Sequence, residues 1–246
     1  MTQPFSSNQF FAVVPAAGVG RRMASDLPKQ YLQLLGKTVL EHTLATLLAQ
    51  TELQRIVLVV AETDQHWQSI TLLDNPRIDI VEGGAERSDS VLSGLRHLAS
   101  SCADSDWILV HDVARACIAA HEIKNLISAL AQDAVGGILA IPVSDTIKQV
   151  EQQIITATMD RSLLWQAQTP QMFRYALLKD ALIAATAQGV VVTDEASAVE
   201  LAGFKPRIVE GSPSNIKITR PEDLSLAAYY LQRANTIQQK ENISCE

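Results

Sequence analysis

Apolar runs of strand length alternate along this 246-residue chain with segments whose leucines and valines recur on one helical face. The first run is Phe10-Phe11-Ala12-Val13-Val14. Arg55 to Ala61, Ile78 to Val81, Asp106 to Val110 and Gly136 to Ile141 follow. These runs lack polar alternation, so they predict strands covered on both sides, as in a parallel sheet between helices. Leu40, Leu44, Leu47 and Leu48 share one helix face, as do Val91, Leu92, Leu95 and Leu98, and then Leu126, Ile127 and Leu130. This βαβα order predicts an α/β fold built on a doubly wound, mostly parallel sheet. Helices are expected again over Tyr175 to Gln188 and Asp194 to Leu201, with strand-like Arg207-Ile208-Val209 after them. Pro221 to Ala234 reads as a closing helix, with Pro at its first position and acids in its first turn. The tail, Asn235 to Glu246, reads as frayed.

One stretch breaks the rhythm. From about Ser144 to Gln166, the short runs Thr146 to Val150 and Ile154 to Thr158 flank Glu151-Gln152-Gln153, which predicts a β-hairpin. Such an insertion either projects to pair with another subunit or folds back as a local flap. The expectation is one domain over residues 1–246, with an inserted arm at about 144–166.

Composition narrows the function. A 47% hydrophobic content is enough for one substantial core. The net charge of −7 argues against general affinity for nucleic acid or anionic membrane, while leaving room for a local Arg/Lys cluster that binds a nucleotide. No apolar stretch nears the ~20 residues of a membrane span. Met1 to Gln9 lacks the basic start and apolar core of a signal peptide. Cys102, Cys117 and Cys245 are scattered, without metal or disulfide spacing, which points to reduced thiols in a cytoplasm.

The candidate chemistry sits at the predicted strand ends, where ligands bind in such sheets. The first strand breaks into Pro15-Ala16-Ala17-Gly18-Val19-Gly20-Arg21-Arg22, with Lys29 beyond. Small residues let backbone N–H groups approach an anion, and the cations add charge, so this is a phosphate loop. It is not a dinucleotide fingerprint, because Met23 holds the third glycine position. It is not a Walker A loop either, because Tyr31 holds the first glycine position before Gly36-Lys37-Thr38, which reads as a turn. Three more clusters fall at strand ends: Gly83 to Ser88, His111 to Arg115, and Pro142 to Thr146. Asp112 reads either as a helix cap or as a carboxylate beside Mg²⁺, with Arg115 on an anionic substrate. Ser88 reads as a helix cap, against base and ribose recognition through Gly84 and Ser90. Thr193 to Ser197 reads as a helix start without a full capping box. Lys217 stands in an apparently apolar strand, Asn215 to Thr219, either snorkelling or as a cation in a phosphate crevice.

Taken together, these residues resemble the 2-C-methyl-D-erythritol 4-phosphate cytidylyltransferase family. The resemblance begins with Pro15-Ala16-Ala17-Gly18-x-Gly20-Arg21-Arg22-Met23 and Pro28-Lys29-Gln30-Tyr31. It runs on through Gly83-Gly84-x-Glu86-Arg87-x-Asp89-Ser90, His111-Asp112-x-Ala114-Arg115, Asp145-Thr146, Asp160-Arg161, Thr169-Pro170-Gln171, Thr193 to Ser197 and Asn215-Ile216-Lys217. It implies a Rossmann-like domain, a homodimer with an exchanged arm, CTP as co-substrate and a divalent cation such as Mg²⁺. By motif match, Ala16, Ala17, Gly18, Gly20, Arg21, Gly84, Ser90 and Val113 would hold CTP. Arg22, Lys29 and Lys217 would stabilise the α-phosphorus and the departing pyrophosphate. Asp112, Arg115, Thr169 and Thr193 would bind the sugar-alcohol phosphate, with Asp112 also nearest the metal. Thr146 and Arg161, on the arm, would reach into the partner subunit's site. Ala85, Ala116 and Ser214 depart from the family's usual Asp, Pro and acidic residue. The nearest alternative activity is ribitol 5-phosphate cytidylyl transfer. A CTP-sensing module is the alternative from another class, and the many cations argue against it.

Overall fold

The computed structural model describes residues 8–18 and 27–244, with side chains described as far as residue 236. The elements in chain order are β1 (Phe10–Pro15), β2 (Gln33–Leu34), β3 (Lys37–Thr38), α1 (Val39–Leu48), β4 (Leu53–Val60), β5 (Ile78–Glu82), α2 (Arg87–His97), β6 (Trp107–Val110), α3 (Ala120–Leu130), β7 (Gly136–Pro142), β8 (Lys148–Glu151), β9 (Ile154–Thr158), β10 (Trp165–Arg174), α4 (Tyr175–Ala187), α5 (Glu195–Leu201), β11 (Arg207–Glu210) and α6 (Pro221–Ser244).

The central sheet has seven strands in the order β11-β7-β10-β6-β1-β4-β5. β1 pairs in parallel with β4 and β6, β4 with β5, and β7 with β11. Only β10 runs antiparallel, between β6 and β7. Alternate side chains explain the apolar runs of the inner strands. Ala12 and Val14 of β1, Ile56 and Leu58 of β4, and Leu109 of β6 pack on the face covered by α1 and α3. Phe11 and Val13, Val57 and Val59, and Ile108 and Val110 pack on the face covered by α2, α4 and α5. Both faces are buried, which is the doubly wound arrangement.

Four sequence expectations change. Gly36-Lys37-Thr38 is not the turn itself. Leu35 (φ 52°) and Gly36 (φ 81°) make it, and Lys37-Thr38 form β3. Thr38 then caps α1, accepting from Glu41 N–H at 3.1 Å while its own N–H donates to the Glu41 carboxylate at 2.7 Å. Asn215 to Thr219 forms no strand, because Ile218 is tied by its N–H to Ala114 O (2.8 Å) and its side chain joins a small core with Leu34, Val39 and Ala227. α6 runs on to Ser244 through the tail expected to fray, a segment rich in the good helix formers Gln, Lys and Glu. β10 occupies the middle of the sheet where no strand was expected, and its register shifts between Ala167 and Gln171. The hairpin is present as a separate two-stranded sheet, β8 with β9. Its exposed side chains include Val150, Ile154 and Ile155.

Candidate active site

The parallel strands β1, β4, β5 and β6 all end on one edge of the sheet. The segments leaving β1, β5 and β6 line a cleft there, and the loop before α6 closes it. Ala16, Ala17 and Gly18 continue β1. Ala16 is held by an N–H donated to Val59 O at 2.7 Å, and its carbonyl accepts from Gln30 Nε2 at 2.7 Å. Lys29 lies across the cleft in a short 3₁₀ turn, its ammonium 3.4 Å from Ile218 O. Gly83 and Gly84 follow β5. A Cβ on Gly83 would sit 2.6 Å from Ser90 Oγ, and one on Gly84 would collide with Asp89, so the pair lets the chain pass close to the start of α2. Ser90 is buried and donates to Glu86 O at 3.2 Å. α2 is capped at Glu86, two residues before the expected Ser88, and the Glu86 N–H donates to the Asp89 carboxylate. Val113 closes the floor, its carbonyl accepting from Thr43 Oγ1 at 2.8 Å.

A second pocket adjoins the first. Arg115, Thr169 and Thr193 line it, and Asp112, Arg87 and Lys217 line both. The wall between the pockets is a chain of alternating charges. Lys217 Nζ lies 2.6 Å from one Asp112 oxygen, and the Arg87 guanidinium reaches the other with Nε at 3.0 Å and an NH₂ at 2.9 Å. Arg87 also grips both oxygens of the buried Glu195, at 2.6 and 3.0 Å. Burial works against the Asp112 charge, but Arg87 and Lys217 overcome it and hold the carboxyl well below the usual carboxylate range. Burial opposes the Arg87 charge too, and Glu195 and Asp112 raise its pKa well above the ordinary value. Asp112 is therefore an ion-pair member, and no helix follows for it to cap.

The loop after β6 is set by a buried relay. Thr169 Oγ1 accepts from the Asp112 N–H at 3.0 Å and lies 3.0 Å from His111 Nδ1. His111 Nε2 faces Arg115 O at 3.3 Å. A carbonyl accepts only, so Nε2 carries the proton, and Nδ1 takes the Thr169 hydroxyl proton. Burial lowers His111 to about 4, which keeps the ring neutral. Among the described residues Arg115 donates hydrogen bonds to carbonyls alone, Asn215 O at 2.6 Å and Ala167 O at 3.2 Å. Burial lowers its pKa, and its charge faces the second pocket with Asp112 as the nearest acid influence.

Ala16, Ala17, Gly18, Lys29, Gly84, Ser90, Asp112, Val113 and Lys217 thus meet in one cleft, and Arg115, Thr169 and Thr193 meet in the next. Gly20, Arg21 and Arg22 lie outside the described residues. Thr146 and Arg161 line neither pocket, and Arg161 donates to Ser144 O at 2.6 Å within the arm. The α5 start is capped by Asp194 rather than Thr193. The Asp194 carboxylate accepts from Ser197 N–H at 2.9 Å, and Ser197 Oγ accepts from Asp194 N–H at 3.2 Å, a full reciprocal box where the sequence reading expected none. Of the departures, Ala116 is buried in the small core beneath α6, Ala85 lines the cleft, and Ser214 bonds Ser212 at 2.8 Å. Sequence reasoning assigned no role to Arg87, Glu195, His111, Gln30 or Gln171. Arg87 stood inside a quoted motif, and its partners come from distant segments that local pattern does not join. Gln171 anchors α5 through both ends of its amide, to Asp194 Oδ2 and Ala196 N–H at 2.9 Å each.

A parallel sheet whose strand ends carry a small-residue loop and two cation-lined pockets with a common wall is the architecture of an α/β nucleotidyltransferase. The chain belongs to the 2-C-methyl-D-erythritol 4-phosphate cytidylyltransferase family, whose model matches residues 10–233. It is 52% identical over 229 residues to the protein of that name from Vibrio vulnificus (strain CMCP6), covering 93% of this chain and 97% of that one. It is 53% identical over 229 residues to that from Mannheimia succiniciproducens, covering 92% and 98%. Among solved structures, the Francisella tularensis 2-C-methyl-D-erythritol 4-phosphate cytidylyltransferase superposes with a TM-score of 0.80 at 34% identity, over 91% of this chain and all of that one.

Proposed function

We propose that this protein transfers the cytidylyl group of CTP to the phosphate of 2-C-methyl-D-erythritol 4-phosphate, releasing pyrophosphate. The observation that carries the reading is the shared wall. A nucleotide in the first cleft and a phosphate in the second meet where Asp112, Lys217 and Arg87 face both. A phosphate oxygen of the sugar alcohol attacks the α-phosphorus in line as the bond to pyrophosphate breaks. That oxygen is already a competent nucleophile, so no covalent enzyme intermediate is required. The chain's task is positioning and charge stabilisation.

Ala16, Ala17, Gly18, Gly84, Ser90 and Val113, together with Gly20 and Arg21, hold the nucleotide. Lys29 and Lys217, with Arg22, stabilise charge on the α-phosphorus and the leaving group. Arg115 faces the substrate phosphate, and Thr193 lines its pocket beside Asp112. Thr169 contributes through its grip on the Asp112 backbone, since its hydroxyl proton is directed at His111.

The residues fit a divalent cation in one respect. Asp112 is an ionised carboxylate at the wall, whose Oδ2 keeps a second lone pair beyond Lys217. Among the described residues no three acidic, His or Cys side chains cluster as a protein-only metal site. Asp112 would therefore be a single ligand, with phosphate oxygens and water as the others. Mg²⁺ bound there supplies charge neutralisation on the triphosphate.

The reading includes a homodimer joined through the arm, with Thr146 and Arg161 reaching the partner subunit's pocket. Its support is the arm's exposed apolar surface (Val150, Ile154, Ile155, Leu163) and the fact that neither residue lines a pocket of its own chain. A cytoplasmic setting accords with the free thiols of Cys102 and Cys117. Among the described residues no helix is long and apolar enough to cross a membrane.

The test is pyrophosphate release with CTP and Mg²⁺, comparing 2-C-methylerythritol 4-phosphate with ribitol 5-phosphate. Release with the first substrate is expected. Preference for ribitol 5-phosphate would move the reaction to another polyol phosphate, and CTP binding without release from either would overturn it.

A further inference from the structure

We infer that Glu195, acting through Arg87, is a positioning residue for this transfer: it pins the guanidinium on Asp112 so that Lys217 is released to the phosphates. The inference rests on the cytidylyl-transfer reading and adds residues to which that reading gives no part.

The chain of charges runs from a buried end to an exposed end. Glu195 is buried, its side chain 1% exposed, and it lines neither pocket. Its backbone sits at the start of α5, which Gln171 ties to β10 on both sides of Glu195. Arg87 is bound bidentately to it and is 29% exposed. Asp112 is 10% exposed, and Lys217, at the far end, is 40% exposed. Lys217 is thus the member of the chain with room to leave.

Its departure has a physical cost that the rest of the chain offsets. As found, Lys217 is neutralised by Asp112 at 2.6 Å, which opposes any contact with a phosphate. Were Lys217 the sole partner of Asp112, moving it would strand a nearly buried carboxylate, a strongly unfavourable event. Arg87 removes that obstacle by bonding the other Asp112 oxygen through two nitrogens. Arg87 itself flanks both pockets, so an unanchored guanidinium would be drawn to the incoming phosphates and leave Asp112 to recapture Lys217. Glu195 prevents this by occupying the remaining edge of the fork. The charge handed to the transition state then comes from Lys217, on the side where it is needed.

The experiment uses the full-length enzyme, with steady-state kinetics at 25 °C and a melting curve for every variant. Glu195→Gln, which keeps the shape but loses the second acceptor and the charge, is expected to lower kcat about 10- to 100-fold, the range of one charged hydrogen-bond partner. KM for both substrates should stay within about threefold, because the lost contact acts in the transition state. Arg87→Lys, which keeps the charge but not the fork, should fall similarly. The double variant should be no slower than the slower single variant, and Glu195→Asp should recover most of kcat. A Glu195→Gln enzyme that melts earlier yet keeps kcat within twofold overturns the inference and leaves the pair a mere brace between α2 and α5. Multiplicative losses in the double variant overturn it as well. If Glu195→Gln does not fold, Arg87→Lys decides by the same criterion. Absence of turnover in the wild type defeats the functional reading itself, a result separable from turnover that the variants retain.

Discussion

At the scale of single residues, the site depends on charges that are buried and yet ionised. Lys29 approaches the cleft from a short turn and is no member of the apolar core clusters. Lys29→Ala is therefore expected to lower kcat by roughly 10²- to 10³-fold, as for loss of one preorganised electrostatic donor. Arg22→Ala should do the same, with unchanged circular dichroism in both. Turnover within a few-fold of wild type in both variants would refute the assigned roles. His111 makes a separate prediction about stability. Burial lowers it from 6.5 to about 4 in the folded protein, so the unfolded chain binds its proton first as pH falls. The stability due to neutral His111 is full above about pH 6.5 and is lost progressively toward pH 4. The loss is on the order of 3 kcal/mol. Urea unfolding at pH 7.5 and pH 5 should show wild type losing stability, and His111→Gln, which cannot titrate, losing distinctly less. Equal losses would remove His111 from the account. The motif residues Ala16, Gly84 and Asp112 were legible in the sequence because they fall in small or charged clusters at strand ends, and Lys217 because it is a lysine in an apolar run. Arg87 lay in such a cluster too, but its role and that of Glu195 were not legible, because a buried ion pair is defined by partners far apart in the chain.

At the scale of elements, capping and burial decide what forms. α1 begins at Thr38, whose hydroxyl and N–H both engage Glu41. Thr38→Ala is expected to cost about 1 kcal/mol. It should lower the melting midpoint by about 2–4 °C without changing kcat, as thermal unfolding beside the kinetic assay would show; an unchanged midpoint would make the cap irrelevant. The strands β1 and β6, and β4 from Ile56 to Val60, were legible because every position there is apolar and both faces are covered. β10 was not, although it lies in the middle of the same sheet. Gln168, Thr169 and Gln171 are buried there, and Pro170 lies between them, a pattern that argues against a central strand. Gln168 Nε2, Thr169 Oγ1 and Gln171 Nε2 find partners in Ser212, His111 and Asp194, from other elements, so nothing local marks these residues as interior. The Lys217 segment failed in the opposite way. Alternation around Ile216 and Ile218 resembles a strand, but Ile218 is anchored by a loop contact and a small core of its own.

At the scale of the whole molecule, the doubly wound sheet brings the ends of β1, β5 and β6 to one edge, and β10 crosses beside them to build the second pocket. The arm stands apart from this body. Ile154 is 68% exposed and Leu163 78%, more apolar surface than a lone flap requires. The proposed homodimer is expected to persist at micromolar concentration in sedimentation velocity, and Ile154→Asp should shift it toward monomer and lower turnover. A wild-type monomer with full activity would remove the arm from the site. The central claim, however, is a single in-line displacement at the boundary of two pockets, without a covalent nucleotidyl-enzyme. The most direct measurement is the configuration at the α-phosphorus after turnover of CTP bearing one α-phosphorothioate diastereomer, with 2-C-methylerythritol 4-phosphate as acceptor. The account predicts a 4-diphosphocytidyl-2-C-methylerythritol product of inverted configuration at that phosphorus; retention, the mark of two successive displacements, would contradict it.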